Sequence, residues 1–336
     1  MRNSLFIGAF IAVFSCVTFA DDELAATEPA PAAQHVTYKK RASVRKSIRR
    51  AHASHGIQRV SFSNNAGGGN LGLRSNGVIV FDQSTGESVY SKNVDSVQPI
   101  ASITKLMTAL VVLEAKQDLT EAITIDESDV DTLKNTRSRL SVGSVVRRGD
   151  LMRLALMASE NRAAAALGRS FPGGRDQFVA RMNDEAVLLG LTQTHFADST
   201  GLSSLNVSSP TDLAKLVQAA YQQPLIREYS TTAGVMLTMA ETGRSIAFNN
   251  TNLLVKNEGW HIGLSKTGFT NDAGRCLVLQ AKLAERKVII VLLDSWGKLS
   301  RIGDANRVRA WLEASARPQI GAVHKSAQKR SKRTRA

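Results

Sequence analysis

The spacing of apolar residues predicts a β-hairpin followed by a helix at the start of the folded region. The two strands are predicted at residues 78–81 and 88–90, where the apolar residues follow a pattern typical of strands. Turn-forming residues 84–86 separate them. A helix is then predicted to begin at Pro99, with its apolar face formed by Ile103, Met107, Leu110 and Val111.

The middle of the chain has helical spacing. Asp150 is predicted to cap one helix, residues 162–169 are Ala-rich and predicted to be a second, and Pro210 begins a third. We therefore expect a helical lobe over about residues 117–220.

Strands return after Trp260. Residues 264–270, 276–283 and 288–293 predict an antiparallel meander, with residues 284–287 as the last connection. A final amphipathic helix follows, with its apolar face at Val308, Trp311 and Leu312. Strands at both ends with helices between them predict a mixed α/β domain whose sheet is closed by both ends of the chain.

The segments outside this domain, predicted as residues 71–317, differ in composition. Residues 1–20 read as a secretory signal cleaved near Ala20, which implies export to the periplasm. Their apolar run is shorter than the roughly 20 residues of a membrane span. Residues 21–70 are predicted to be a disordered Ala/Pro, basic and Gly-rich linker, and residues 318–336 a disordered basic tail.

The net charge of +14 is concentrated in two basic arms. Seven basic residues lie between Lys39 and Arg50 and six between Lys325 and Arg335, so that residues 51–324 have a net charge of only +4. Nucleic-acid binding is therefore the interpretation least favoured. The arms are expected either to associate loosely with anionic membrane or wall polymers or only to keep the protein soluble.

Cysteine and histidine residues suggest no further chemistry. Loss of the signal leaves Cys276 alone, in an apolar run where a small buried residue is expected. His195 and His261 are interpreted as structural or surface residues. No Cys, His or carboxylate cluster has metal-ligand spacing, so neither a metal nor a cofactor is expected.

Three short motifs contain the candidate catalytic residues. In chain order they are Ser102-Ile103-Thr104-Lys105, Ser159-Glu160-Asn161 and Lys266-Thr267-Gly268. The first two patterns also occur elsewhere, whereas Lys-Thr-Gly occurs once. Only Ser102 and Lys105 lie in the first turn of an apolar-striped helix, where residues i and i+3 share a face.

The first two motifs fit nucleophilic catalysis. The hydroxyl of Ser102 needs a neighbouring base, and Lys105 is that base if its pKa falls well below about 10.4. Burial and the nearby cation Lys266 would lower that pKa. Ser159 is predicted to relay a proton to the leaving amine, and Asn161 to hold Lys105 and the substrate amide.

The third motif is predicted to bind the substrate. Lys266 and Thr267 would grip a carboxylate from a strand edge, and Gly268 would let a substrate backbone approach closely. The backbone N–H groups of Ser102 and Phe269 are the predicted oxyanion hole.

Taken together, these motifs resemble those of the serine D-Ala-D-Ala peptidases in the penicillin-binding protein and β-lactamase superfamily. The likeness is greatest to the D-alanyl-D-alanine endopeptidase group called penicillin-binding protein 7/8, on residues 102–109, 156–164 and 266–270. It implies a five-stranded antiparallel sheet flanked by helices, with an all-helical lobe beside the cleft. It also implies peptidoglycan as substrate and β-lactam antibiotics as covalent inhibitors.

Two departures from relatives refine the expected function. The 19 residues after Arg317 are basic, whereas many carboxypeptidases of this superfamily carry an extra β domain and an amphipathic anchor. The Glu-x-x-Leu-Asn segment of class A β-lactamases is missing between Asn161 and Lys266. We therefore expect a DD-endopeptidase that cuts D-Ala–diaminopimelate cross-links through an acyl-enzyme on Ser102. A DD-carboxypeptidase that releases terminal D-Ala and a non-catalytic wall-binding protein are the alternatives.

Deletion of residues 21–58 is expected to weaken binding to wall sacculi, because it removes the basic residues between Lys39 and Arg50. Catalysis on a soluble substrate should be unchanged. Co-sedimentation with sacculi at low salt measures the binding, and equal binding of both proteins would argue against a role for this arm.

Overall fold

The computed structural model describes residues 71–239 and 242–316. The predicted signal, linker and basic tail lie outside these ranges. In chain order, the strands are β1 (Ser75–Asp82), β2 (Glu87–Lys92), β3 (Gln98–Pro99), β4 (Ala122–Thr124), β5 (Val145–Arg147), β6 (Val207–Ser208), β7 (Gly234–Thr238), β8 (Ser245–Asn249), β9 (His261–Thr270), β10 (Gly274–Leu283) and β11 (Arg286–Ser295). The α-helices are α1 (Lys105–Glu114), α2 (Arg148–Met157), α3 (Asn161–Arg169), α4 (Gly174–Leu188), α5 (Pro210–Tyr221), α6 (Pro224–Thr231) and α7 (Ser300–Ala316).

Five strands form one antiparallel sheet in the order β2-β1-β11-β10-β9. The first long strand pairs with the last, with Val78 opposite Leu292. The predicted closure of the sheet by both ends of the chain is therefore confirmed, and so is the C-terminal meander. Because β9 is an edge strand, one side of its backbone faces away from the sheet.

Helices cover both faces of this sheet. Alternate residues of a strand point to opposite faces, and in β1 the pair Ile79 and Phe81 joins one apolar core while Val78 and Val80 join the other. The larger core contains α1 to α6, and the smaller contains α7. This double burial explains why the strands read as continuous apolar runs although the sheet is antiparallel.

Single elements also agree with the sequence patterns. Val308 and Leu312 of α7 are buried, and Trp311 packs against the same core, as predicted. Cys276 is fully buried, and burial raises the pKa of its thiol to about 11. In the part of the chain that the structure describes, no helix has the length and apolar character needed to cross a membrane.

The predicted N-cap at Asp150 is wrong. The N-cap position of α2 is Arg147, and Asp150 lies in the first turn. Strand β5 leads directly into this helix, and the first backbone N–H groups, of Arg148 and Gly149, donate to carbonyls of residues 121 and 119. Because these donors already have backbone acceptors, α2 needs no side-chain cap.

Two further boundaries differ from the predictions. Pro99 does not open a helix, since it pairs with Val207 in an extended bridge and helical structure begins at Ala101. The last connection of the meander is shorter than residues 284–287. It contains only Ala284 and Glu285, whose φ angles of 47° and 63° fit the two-residue turn that matches the strand twist.

Candidate active site

Ser102 lies on a tight turn that precedes α1. Residues Ala101–Thr104 form one turn of 3-10 helix, and Ala101 has a φ of 47°. The Thr104 hydroxyl donates to the Ala101 carbonyl at 2.8 Å. A non-glycine residue in this left-handed region costs about 1–3 kcal/mol, so the surrounding structure must hold the turn in place.

Gly201 is one of the residues that hold this turn. Its φ is 82°, and a Cβ atom at this position would lie 2.0 Å from the Ala101 carbonyl oxygen. Backbone therefore packs on backbone directly behind Ser102, and only glycine fits there.

The Lys105 amine is fully buried and contacts three oxygen atoms. Its Nζ lies 2.9 Å from Ser102 Oγ, 2.7 Å from Asn161 Oδ1 and 2.6 Å from the Thr200 carbonyl oxygen. A neutral amine has two hydrogens and one lone pair. It can donate to Asn161 and Thr200 while it accepts the proton of the Ser102 hydroxyl.

Burial lowers the pKa of Lys105 to about 7. The negative charges of Asp198, Glu160 and Asp131 act in the opposite direction and raise it, but desolvation of the ammonium is the larger effect. Close to neutral pH, a substantial fraction of Lys105 is therefore unprotonated and able to take a proton from Ser102.

The second motif joins the other two. Ser159 lies between α2 and α3 with a φ of 59°, and its hydroxyl accepts a hydrogen bond from Lys266 Nζ at 2.9 Å. Asn161 begins α3, and its side chain contacts Lys105 through Oδ1 while Nδ2 donates to Thr136 Oγ1 at 2.8 Å. The left-handed residue lets the chain turn sharply, so that both side chains reach the same cleft.

The third motif lies on the edge strand β9. Lys266 is buried, and burial holds the pKa of its amine well below the usual range, with the charges of Lys105 and Arg301 lowering it further. The Thr267 hydroxyl lies 2.6 Å from that of Thr251. A substrate carboxylate would favour the protonated form of this amine, so that an ammonium and a hydroxyl beside an open strand edge would bind it together.

The predicted oxyanion donors lie beside each other. A Cβ atom on Gly268 would be 3.1 Å from the Ser102 nitrogen, so β9 passes directly over the turn. The Arg301 guanidinium donates to the Gly268 carbonyl at 2.8 Å. In a trans peptide the N–H points opposite to the carbonyl, so the Phe269 N–H is directed away from Arg301. The Phe269 side chain is half exposed.

The structure thus brings all predicted side chains together and adds residues that the sequence analysis missed. Thr200 supplies an oxygen to Lys105, Thr251 contacts Thr267, Thr136 holds Asn161, and Arg301 fixes the Gly268 carbonyl. None of them belongs to a motif, and each is at least 16 residues from its partner in the chain.

Asp198 was also missed, and it shapes the loop behind Lys105. Its carboxylate accepts hydrogen bonds from the backbone N–H groups of Thr200, Gly201 and Ser203, at 2.6, 2.6 and 2.8 Å. These bonds curl the loop so that the Thr200 carbonyl reaches the amine of Lys105. Asp and Gly at a spacing of three were a sequence signal for such a turn.

The two histidines do not join this cluster. His195 is exposed and takes part in a backbone bridge with Val207, and His261 is exposed at the start of β9. In residues 71–239 and 242–316, no group of three or more His, Cys, Asp or Glu side chains could hold a metal ion.

Comparison with known proteins gives matches along most of the chain. A family model described as D-alanyl-D-alanine carboxypeptidase, peptidase S11, matches residues 64–297. The chain is 45% identical over 254 residues to a D-alanyl-D-alanine endopeptidase of Pseudomonas aeruginosa, which covers 76% of this chain and 82% of that protein. A D-alanyl-D-alanine endopeptidase of Escherichia coli is 44% identical over 241 residues, with coverage of 72% and 78%.

The fold is similar to a solved structure as well. The crystal structure of the Streptomyces K15 DD-transpeptidase has a TM-score of 0.67 at 28% identity, and the match covers 72% of this chain and 98% of that one. These matches confirm the resemblance inferred from the three motifs.

Replacing Gly201 by Ala is expected to destabilise the fold by more than about 3 kcal/mol, because the new methyl group overlaps the backbone that carries Ser102. Gly86→Ala is the matched control. Gly86 has a φ of 76° with nothing within 4 Å of a Cβ, so only backbone strain of about 1 kcal/mol is expected there. Urea unfolding measures the free energy of unfolding of both variants. An equal decrease in the two would contradict the close contact between Gly201 and Ala101.

Proposed function

We propose that this protein, which belongs to the D-alanyl-D-alanine carboxypeptidase family of peptidases (peptidase S11), is a penicillin-sensitive serine DD-endopeptidase. Its substrate would be the D-Ala–diaminopimelate cross-link of peptidoglycan. The observation that supports this most is the contact of Lys105 with both Ser102 and Asn161, next to the Lys266–Ser159 pair. A nucleophile, a neutral base, a proton path and a carboxylate site therefore share one cleft.

The first chemical step forms an acyl-enzyme. Ser102 Oγ attacks the carbonyl carbon of the D-Ala residue at the scissile bond while Lys105 Nζ takes the hydroxyl proton. The carbonyl oxygen becomes negative and accepts hydrogen bonds from the Ser102 and Phe269 N–H groups. Each such donor typically contributes about 10²–10³ in rate.

Collapse of this intermediate requires a proton for the leaving amine. We place Ser159 on that path, because its hydroxyl contacts Lys266 and the residue lies only two positions before Asn161, which contacts Lys105. The C–N bond breaks, the amine leaves with the proton that Lys105 took, and an ester to Ser102 remains. Water then attacks the ester carbon while Lys105 takes one of its protons. The bond between that carbon and Ser102 Oγ breaks, and the proton passes from Lys105 to Oγ, which regenerates Ser102.

Lys266 and Thr267 would fix the substrate beyond the scissile bond. Their amine and hydroxyl face a carboxylate next to the leaving nitrogen, whether that nitrogen belongs to D-Ala or to diaminopimelate. A DD-carboxypeptidase would use the same residues, and the name of the matching family model supports that second candidate. The relatives of 44–45% identity, both named endopeptidases, favour the first.

The cellular context follows from the proposed substrate. Peptidoglycan lies outside the cytoplasmic membrane, and residues 1–20 have the pattern of a signal peptide. We therefore propose a periplasmic protein whose basic arms associate loosely with anionic wall polymers or membrane. Penicillins would acylate Ser102 as they mimic the D-Ala-D-Ala end.

Incubation with a cross-linked muropeptide dimer and a pentapeptide monomer together should convert the dimer to monomers. Ser102→Ala should abolish this conversion, because no other hydroxyl lies at the Lys105 amine in the described cluster. Chromatography with mass spectrometry measures both products.

The second measurement is the covalent adduct with penicillin. It should persist on the peptide that contains Ser102 and be detected there by its mass. Release of D-Ala alone would replace the endopeptidase by the carboxypeptidase. Dimer cleavage by Ser102→Ala at the wild-type rate would refute the assigned site, and the absence of both cleavage and adduct would indicate a non-catalytic wall-binding protein.

The rate of acylation by penicillin should rise about tenfold per pH unit below pH 7 and level off above it. Lys105, with its pKa lowered to about 7, is protonated on the acid side and cannot accept the Ser102 proton there. Stopped-flow or mass measurements between pH 5.5 and 8.5 test this. Lys105→Arg, permanently charged, should be inactive throughout, and a flat wild-type profile would exclude Lys105 as the base.

A further inference from the structure

A second cavity lies beside the cluster of Ser102, Lys105 and Lys266, and none of these three residues lines it. It is a groove of about 670 Å³ between residues 138–144 and the β7–β8 hairpin. We call it the hairpin groove; its main lining residues are Arg139, Ser144, Met239, Arg244, Ile246 and Ala247. Its volume is in the range of ligand pockets, about 300–1,000 Å³.

One wall of the hairpin groove is attached to the second motif. The carboxylate of Glu160, the residue between Ser159 and Asn161, accepts hydrogen bonds from the Ser138 hydroxyl at 2.6 Å and the Arg139 N–H at 3.3 Å. The residues that begin this wall are thus fixed relative to the proposed proton path.

The other wall is attached to the third motif. Strand β8 is followed by Thr251, whose hydroxyl lies 2.6 Å from that of Thr267. Thr267 is proposed to hold the carboxylate next to the leaving nitrogen, whereas Phe269, farther along β9, is proposed to face the scissile carbonyl. The groove therefore lies on the leaving-group side of the cleft.

Two arginines give the hairpin groove a positive charge. Arg139 crosses between the walls, since its guanidinium donates to the Ala247 carbonyl and lies 5.9 Å from the centre of the Phe248 ring. The Arg244 side chain is exposed, and within residues 71–239 and 242–316 it forms no ion pair. The described lining includes no acidic side chain; Ala240 and Glu241 lie outside the described residues.

We infer that the hairpin groove binds the second stem peptide of a cross-link, with Arg244 and Arg139 as partners for a free carboxylate of that peptide. This inference rests on the proposed endopeptidase function. A terminal D-Ala leaving group ends at the carboxylate that Lys266 and Thr267 hold, and has nothing to place in the groove. A diaminopimelate leaving group continues into a whole stem peptide with further carboxylates, which extends toward the groove.

The arginines therefore select for cross-linked substrate. Arg139 joins the two walls of the groove through its hydrogen bond to the hairpin, and Arg244 adds a charge at the exposed end of a long side chain. Guanidinium groups bind carboxylates in a bidentate manner and keep their charge at all relevant pH values.

Arg244→Glu tests the inference with little risk to the fold, because the side chain is exposed and has no described partner. We compare two quantities, kcat/KM for a muropeptide dimer and the rate of penicillin acylation. In Arg244→Glu the ratio of the first to the second should fall at least tenfold, and in Arg244→Lys it should fall less. Lys287→Glu, an exposed change at the far end of the sheet with the same effect on net charge, should keep the wild-type ratio.

A dimer whose second stem peptide is amidated at every carboxylate except the one next to the scissile nitrogen is the complementary probe. The wild-type enzyme should cleave it more slowly than the natural dimer, because the partner of Arg244 is lost. Arg244→Glu, which repels a free carboxylate, should cleave it at least as fast as the natural dimer. The inference is overturned if the ratio is unchanged in Arg244→Glu, whether dimer cleavage and acylation both stay at the wild-type level or both fall equally. A wild-type protein that acylates but never cleaves the dimer shows instead that the proposed function itself is wrong.

Discussion

The buried amine of Lys105 is the interaction on which the rest of the site depends. Its change of pKa from 10.5 to about 7 corresponds to a preference of about 5 kcal/mol for the neutral form, relative to an amine in water. The buried neutral amine needs a partner for each of its hydrogens and for its lone pair, since a buried polar group without a hydrogen-bond partner is destabilising. Ser102, Asn161 and the Thr200 carbonyl provide these partners from three separate segments.

The five-stranded sheet positions the other half of the site. Because β1 pairs with β11, the two ends of the folded region close one sheet, and β9 becomes the edge that faces the helices. Helix α7, which packs on the opposite face from α1, supplies Arg301 to the Gly268 carbonyl. The peptide beside Ser102 is thus held from the far side of the sheet, which leaves the cleft side of β9 open for a substrate.

Chemistry and specificity occupy different parts of this arrangement. In the proposed function, the two buried lysines and the two serines would serve any D-Ala amide whose leaving group has an adjacent carboxylate. Discrimination between leaving groups would require surfaces beyond Thr267, and we propose that residues 138–144 and the β7–β8 hairpin provide them. Both are tied to the motifs by hydrogen bonds, so that the binding surface keeps a fixed position relative to the reacting atoms.

The amino-acid sequence by itself determined the local features. The i, i+3 spacing of Ser102 and Lys105 and the apolar strand runs of β1 and the meander depend only on neighbouring residues. They correctly predicted the contact of the two side chains and the strands themselves, although Ser102 lies in the 3-10 turn before α1. The N-cap at Asp150 failed because residues 119–121, far away in the chain, satisfy the same backbone donors. Tertiary structure alone decided that Thr200 reaches Lys105 across 95 residues and that Ser159 meets Lys266 across 107. It also decided the pKa of Lys105, because desolvation depends on all the groups that surround the amine. A local sequence pattern does not predict which distant segments exclude water from it.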